Sequence, residues 1–94
     1  MSPSLSAGLP VTLDLRTRRL VTTVQGIRLA GLADEAASAL LVRKARGARA
    51  LVESGQPKLA RAVLQDILTI CDDLEAADVE NAVRGDVESL QRVL

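Results

Sequence analysis

The side chains able to do chemistry are few. There is one thiol, Cys71, and no histidine. Without an imidazole the chain lacks the commonest general acid–base group and the commonest metal ligand. Cys71 sits at helical spacing from Ile67 and Leu74. A reactive thiol needs a cationic, partly open setting, and an apolar helix face provides the opposite, so Cys71 reads as a small core residue. A single cysteine also rules out an internal disulfide. The carboxylates gather at Asp72, Asp73, Glu75, Asp78 and Glu80. Oxygen ligands suit a hard cation, but the run lacks the ligand order and central glycine of a calcium loop. It reads instead as a solvated helix–helix link in which Asp78 caps the helix that follows. No Gly-rich phosphate loop, zinc spacing or Ser–His pairing occurs. The expectation is a non-enzyme that takes no cofactor and no metal.

The basic residues form two groups, Arg16, Arg18, Arg19 and Arg43, Lys44, Arg46, Arg49. A Lys/Arg patch is the electrostatic footprint of nucleic-acid binding. Against that, the net charge is zero and no aromatic side chain is present to stack on a base. The charge is unevenly spread. Residues 1–49 hold eight basic and three acidic residues, and residues 50–94 hold four and nine. The two halves therefore either face each other across one fold or each face a partner.

These groups must be positioned by a small core. Ninety-four residues make one domain. With no Phe, Tyr or Trp, the core is built from Leu, Val, Ile and Ala. No run approaches the length of a membrane span, and the first residues carry neither a basic start nor an apolar stretch of a signal peptide. The expected address is cytoplasmic for a complete gene product, and secreted or cell-surface for a module of a larger protein.

Periodicity predicts four helices. Residues 1–13 read as a flexible lead-in, with Val11-Thr12-Leu13 extended. Asp14 is expected to cap the first helix, with Leu20, Val24 and Ile27 inward, Val21 and Leu29 widening the stripe, and Gly31 at its end. The second helix starts near Leu32 or Ala33. It turns Ala37, Leu41, Ala45, Ala48 and Val52 inward and carries Arg43, Lys44, Arg46 and Arg49 on its flanks and outer face. Gly55 stops it and Pro57 restarts the chain. The third helix runs to about Asp72, with Ala60, Val63, Leu64, Ile67, Ile70, Cys71 and Leu74 on its apolar face. The fourth runs from Val79 towards Leu94, with Val79, Val83, Val87 and Leu90 inward. The short link at Gly55 forces an antiparallel αα-hairpin. The fold class is all-α, a small four-helix bundle over residues 14–94 built around that hairpin.

Residues Leu20 to Leu74 resemble the FIMAH domain, a small helical module of bacterial secreted and cell-surface proteins. The likeness lies in Gly26-Ile27, Gly31-Leu32, the run Leu41-Val42-Arg43-Lys44-Ala45, Gly55, and Ala60-Arg61-Ala62-Val63-Leu64, with Val79 to Leu90 matching the last helix. The chain departs from that pattern in lacking an aromatic in its third helix. The resemblance implies an accessory module with no catalytic residues. Together these readings lead to a protein–protein interaction module or homo-oligomer that uses Arg43, Lys44, Arg46 and Arg49. The alternative is a nucleic-acid-binding regulator that uses Arg16–Arg19 and Arg43–Arg49.

Overall fold

The computed structural model describes residues 11–94. They form four helices, α1 (Val11–Ala30), α2 (Glu35–Glu53), α3 (Pro57–Leu74) and α4 (Ala77–Gln91), and no strand. Each helix packs on its two neighbours in the cycle α1–α2–α3–α4. Side-chain bonds fix an antiparallel order. Arg49 at the end of α2 meets Asp14 at the start of α1, and Arg61 early in α3 donates to the Gln91 carbonyl at the end of α4. This is a small four-helix bundle.

The core contains Leu20, Val24 and Ile27 from α1, Leu41, Ala45 and Ala48 from α2, Leu64, Ile67 and Cys71 from α3, and Val79, Val83, Val87 and Leu90 from α4. Most inward residues expected from periodicity are buried here, while Val21, Val63, Ile70 and Leu74 pack on the core partly buried. Ala37, expected inward, is half-buried outside the core, and Val42, not expected inward, is buried. Leu29 departs furthest. It points to solvent at 89% exposure rather than widening the α1 stripe. Two buried hydroxyls also escape hydropathy. Thr17 donates to the Asp14 carbonyl at 2.8 Å, and Ser38 donates to the Ala33 carbonyl at 3.3 Å. Each local bond offsets the cost of burying an oxygen.

The helix starts differ from expectation. α1 already includes Val11, Thr12 and Leu13, so Asp14 lies in its first turn rather than at its cap, where it still complements the helix dipole. The lead-in expected over residues 1–10 lies outside the described residues. α2 begins at Glu35, with Asp34 as its N-cap accepting from the amides of Ala36 and Ala37. α4 begins at Ala77 behind Ala76, so Asp78 sits inside its first turn. α3 continues two residues past Asp72.

The helix ends show why the hairpin boundary was legible. At Gly31 (φ +66) the amide bonds to the Arg28 carbonyl and the next amide to Ile27. At Gly55 (φ +75) the same pair of bonds reaches Val52 and Leu51. Both are Schellman stops, in which a left-handed residue turns two late carbonyls onto following amides. α3 ends with a similar turn, but the left-handed residue is Glu75 (φ 53). A side chain there costs roughly 1–2 kcal/mol relative to the right-handed form, and glycine avoids that cost. Glu75→Gly is therefore expected to raise the unfolding free energy by about 1 kcal/mol, and Gly55→Ala to lower it by at least about as much. Urea denaturation of both variants checks the pair of opposite signs.

Candidate functional site

The four basic residues expected to meet a partner do not act as one set. α2 turns its buried side between α1 and α3, and its cations divide among three directions. Lys44 lies on the α3 side, 3.3 Å from Asp66. Arg49 lies on the α1 side, 3.4 Å from Asp14 and 3.6 Å from Glu53. Arg43 and Arg46 are exposed and have no ion-pair partner among the described residues. The α1 group divides in the same way. Arg16 donates to the Ser89 carbonyl at 2.6 Å, Arg18 pairs with Asp14 at 3.1 Å, and Arg19 stays exposed. Intramolecular pairing thus accounts for Lys44, Arg49, Arg16 and Arg18, and leaves Arg19, Arg43 and Arg46 exposed to solvent.

Between α1 and α2 lies a shallow groove of about 500 Å³ lined by Gln25, Arg28, Leu29, Glu35, Val42 and Arg46. Arg28 closes its end by a forked bond to Glu35, at 2.9 Å from Nε and 2.7 Å from Nη2. The groove mixes apolar side chains with two guanidinium groups; Leu29 on its lining is exposed, as is Leu32 in the link between α1 and α2. Neither leucine was expected at the surface from sequence. The signal for Leu29 was present, because it falls off the Leu20–Val24–Ile27 face when the 100° step is followed.

The antiparallel order also sorts the acidic residues in space. α1 and α3 end where α2 and α4 begin, so Asp34, Glu35, Asp72, Asp73, Asp78 and Glu80 collect at one end of the bundle. Arg84 is embedded among them, 3.4 Å from Asp72 and 3.2 Å from Glu80. A hydrogen bond with Asp72 raises the Glu80 carboxyl above the usual carboxylate range, and Arg84 pulls it back. Among the described residues no three potential ligands come together to hold a metal ion.

Cys71 is fully buried. Burial pushes its thiol up from 9.0 to about 11, and the negative charges of Glu80 and Asp72 add to the rise. This is the opposite of a nucleophilic cysteine. No helix among the described residues is long and apolar enough to cross a membrane.

The chain matches no protein-family model, no curated protein and no solved structure.

The thiol gives a direct check. Native protein at pH 8 is expected to leave Cys71 unmodified by a disulfide reagent over a period in which urea-unfolded protein reacts fully. The folded state holds the thiol proton to higher pH than the unfolded chain does. Stability from this group is therefore complete below pH 9 and falls by about 2–3 kcal/mol as pH rises towards about 11. Denaturant midpoints measured across that window, for the wild type and Cys71→Ala, isolate the contribution.

Proposed function

We propose that the chain is a non-catalytic protein–protein interaction module, an accessory domain or subunit of a larger assembly, whose contact surface is the α1–α2 side. One observation supports this reading above the rest. Arg46 lines the α1–α2 groove together with the exposed Leu29, and neither Arg46 nor Arg43, exposed on the outer face of α2, has an ion-pair partner among the described residues. Solvated charges cost little to leave unpaired, but exposed leucines beside free guanidinium groups offer a partner both apolar burial and bonds to carboxylates. The partner surface this chemistry suits is acidic with apolar anchors. Lys44 and Arg49 serve the bundle itself. If the resemblance to FIMAH domains reflects kinship, such a module belongs to a secreted or cell-surface bacterial protein.

The double variant Arg43→Glu/Arg46→Glu tests the reading. Both side chains are exposed, so the variant is expected to unfold at the wild-type midpoint within about 0.5 kcal/mol. Tagged wild-type protein is expected to retain a specific partner from its host, and the double variant to lose it. Equal capture by both proteins rejects this face as the contact surface.

A further inference from the structure

The antiparallel order sorts the cations as it sorts the acids. α1 and α3 begin, and α2 and α4 finish, at the end of the bundle opposite the acidic one. With each helix divided at its middle, that half holds eight basic and four acidic side chains, and the other half holds four and eight. Lys44 and Arg84 stand at helix midpoints and belong with the acidic half, where their partners Asp66, Asp72 and Glu80 lie. Residues 1–10, which lead into α1, contain no charged side chain.

The basic excess is not consumed within the chain. Of the four carboxylates in that half, Asp14 and Glu53 are held by Arg18 and Arg49, and Asp86 accepts from Thr23. Arg19, Lys58, Arg61 and Arg92 are exposed and have no ion-pair partner among the described residues. Apolar side chains stand among them. Leu15 is 60%, Leu59 53% and Val93 42% exposed. Two shallow cavities open at this end. One of about 320 Å³ sets Leu15 beside Arg16 and Arg19, and one of about 310 Å³ sets Leu59 beside Pro57 and Lys58. Helical side chains lean towards their N-terminus, so those in the first turns of α1 and α3 lean towards this end.

We infer that the basic end of the bundle binds peripherally to an anionic phospholipid surface, with Leu15, Leu59 and Val93 entering the headgroup layer and the four unpaired cations meeting lipid phosphates around them. Charge and placement select this occupant. Exposed apolar side chains ringed by cations match the boundary between headgroups and acyl chains, where the stem of a lysine or arginine lies against apolar groups and its charge reaches phosphate. Nucleic acid also offers phosphates, but it would leave the leucines in water, and the chain has no aromatic to stack on a base. A folded acidic protein would have to be complementary across the whole end at once, because Leu15 and Leu59 stand on helices that are not neighbours in the cycle. A fluid bilayer conforms to both. The acidic end then faces away from the membrane, and the charge asymmetry orients the molecule as it approaches.

The full chain is expected to co-sediment with vesicles of mixed phosphatidylcholine and phosphatidylserine at an ionic strength of about 0.1 M, and not with phosphatidylcholine alone. Each cation near such a surface strengthens binding about fivefold, so Lys58→Gln/Arg92→Gln is expected to weaken it about 25-fold. Thr69→Glu/Asn81→Asp changes the net charge equally at exposed sites of the acidic half. It lies at least about 15 Å along the helices from the basic end and is expected to weaken binding by no more than about twofold. Leu59→Gln is expected to weaken it about tenfold. An environment-sensitive fluorophore on Leu59→Cys is expected to shift to the blue on the anionic vesicles and the same label on Asp73→Cys to stay unchanged, while the buried Cys71 takes no label. Absence of binding to the anionic vesicles overturns the inference. Equal weakening by the two double variants overturns it too, since net charge alone then governs adhesion, and so does indifference to Leu59→Gln. Duplex DNA bound more tightly than the vesicles rejects lipid in favour of nucleic acid. The lipid contact does not use Arg43 or Arg46, so it stands or falls separately from partner capture.

Discussion

The structure depends on closing a core without aromatic side chains. A Phe or Trp fills the space between helices at ordinary separation, whereas a core of Leu, Ile, Val and Ala fills it only when the helix axes come close. α2 supplies that closeness. Its buried positions Ser38, Ala45 and Ala48 are small, with Leu41, Val42 and Val52 set among them. Larger side chains lie on the helices that α2 packs against, Leu20, Val24 and Ile27 on α1 and Leu64 and Ile67 on α3. Small residues on α2 facing larger ones on both neighbours let the layers interlock. Ser38 fits this scheme because its hydroxyl is satisfied by the carbonyl of Ala33, just ahead of its own helix, and needs no partner across the core.

Close packing sets what the charges do. Helices this near one another bring flank residues into bonding range, so Lys44 reaches Asp66, Arg49 reaches Asp14, and Thr23 donates to Asp86 at 2.5 Å. These are partly exposed contacts, each stabilising by about 1 kcal/mol or less. Their larger effect is selective. They hold the flank cations of α1 and α2 against the bundle and leave Arg19, Arg43 and Arg46 as the ones presented outward. The unequal charge of the two halves of the sequence is thus partly satisfied internally. The remainder is distributed along the bundle, because antiparallel helices gather the acidic helix starts and the Asp72–Asp73 pair at one end.

Features set by local backbone chemistry were legible from sequence. The stop at Gly55 and the restart at Pro57 follow from the conformations those residues prefer, and they fix the hairpin. The core faces of α3 and α4 were legible because their apolar steps have few rivals. Starts set by competition were less so. Val11 and Thr12 favour extended backbone, yet they join α1 and let Leu13 pack on the core. Asp34 and Glu35 both suit an early turn, and only the amide bonds of Asp34 identify the cap. The division of Arg43, Lys44, Arg46 and Arg49 was not legible at all. Which flank a residue occupies is a property of its helix, but which flank holds a carboxylate depends on the neighbouring helix.

α1 illustrates a different limit. Its inward residues are plain in sequence, but leucines at Leu15 and Leu29 on the opposite side blur its amphipathic signal, so Leu29 is easily assigned to the core. Exposed leucines gain nothing for an isolated bundle, and a glycine in an exposed helix interior costs about 1 kcal/mol relative to alanine. In a 94-residue chain whose core has no aromatic, such a loss is conspicuous, since net stability at this size is a small difference between large terms. Leu15, Gly26 and Leu29 are unexplained by the fold of one copy.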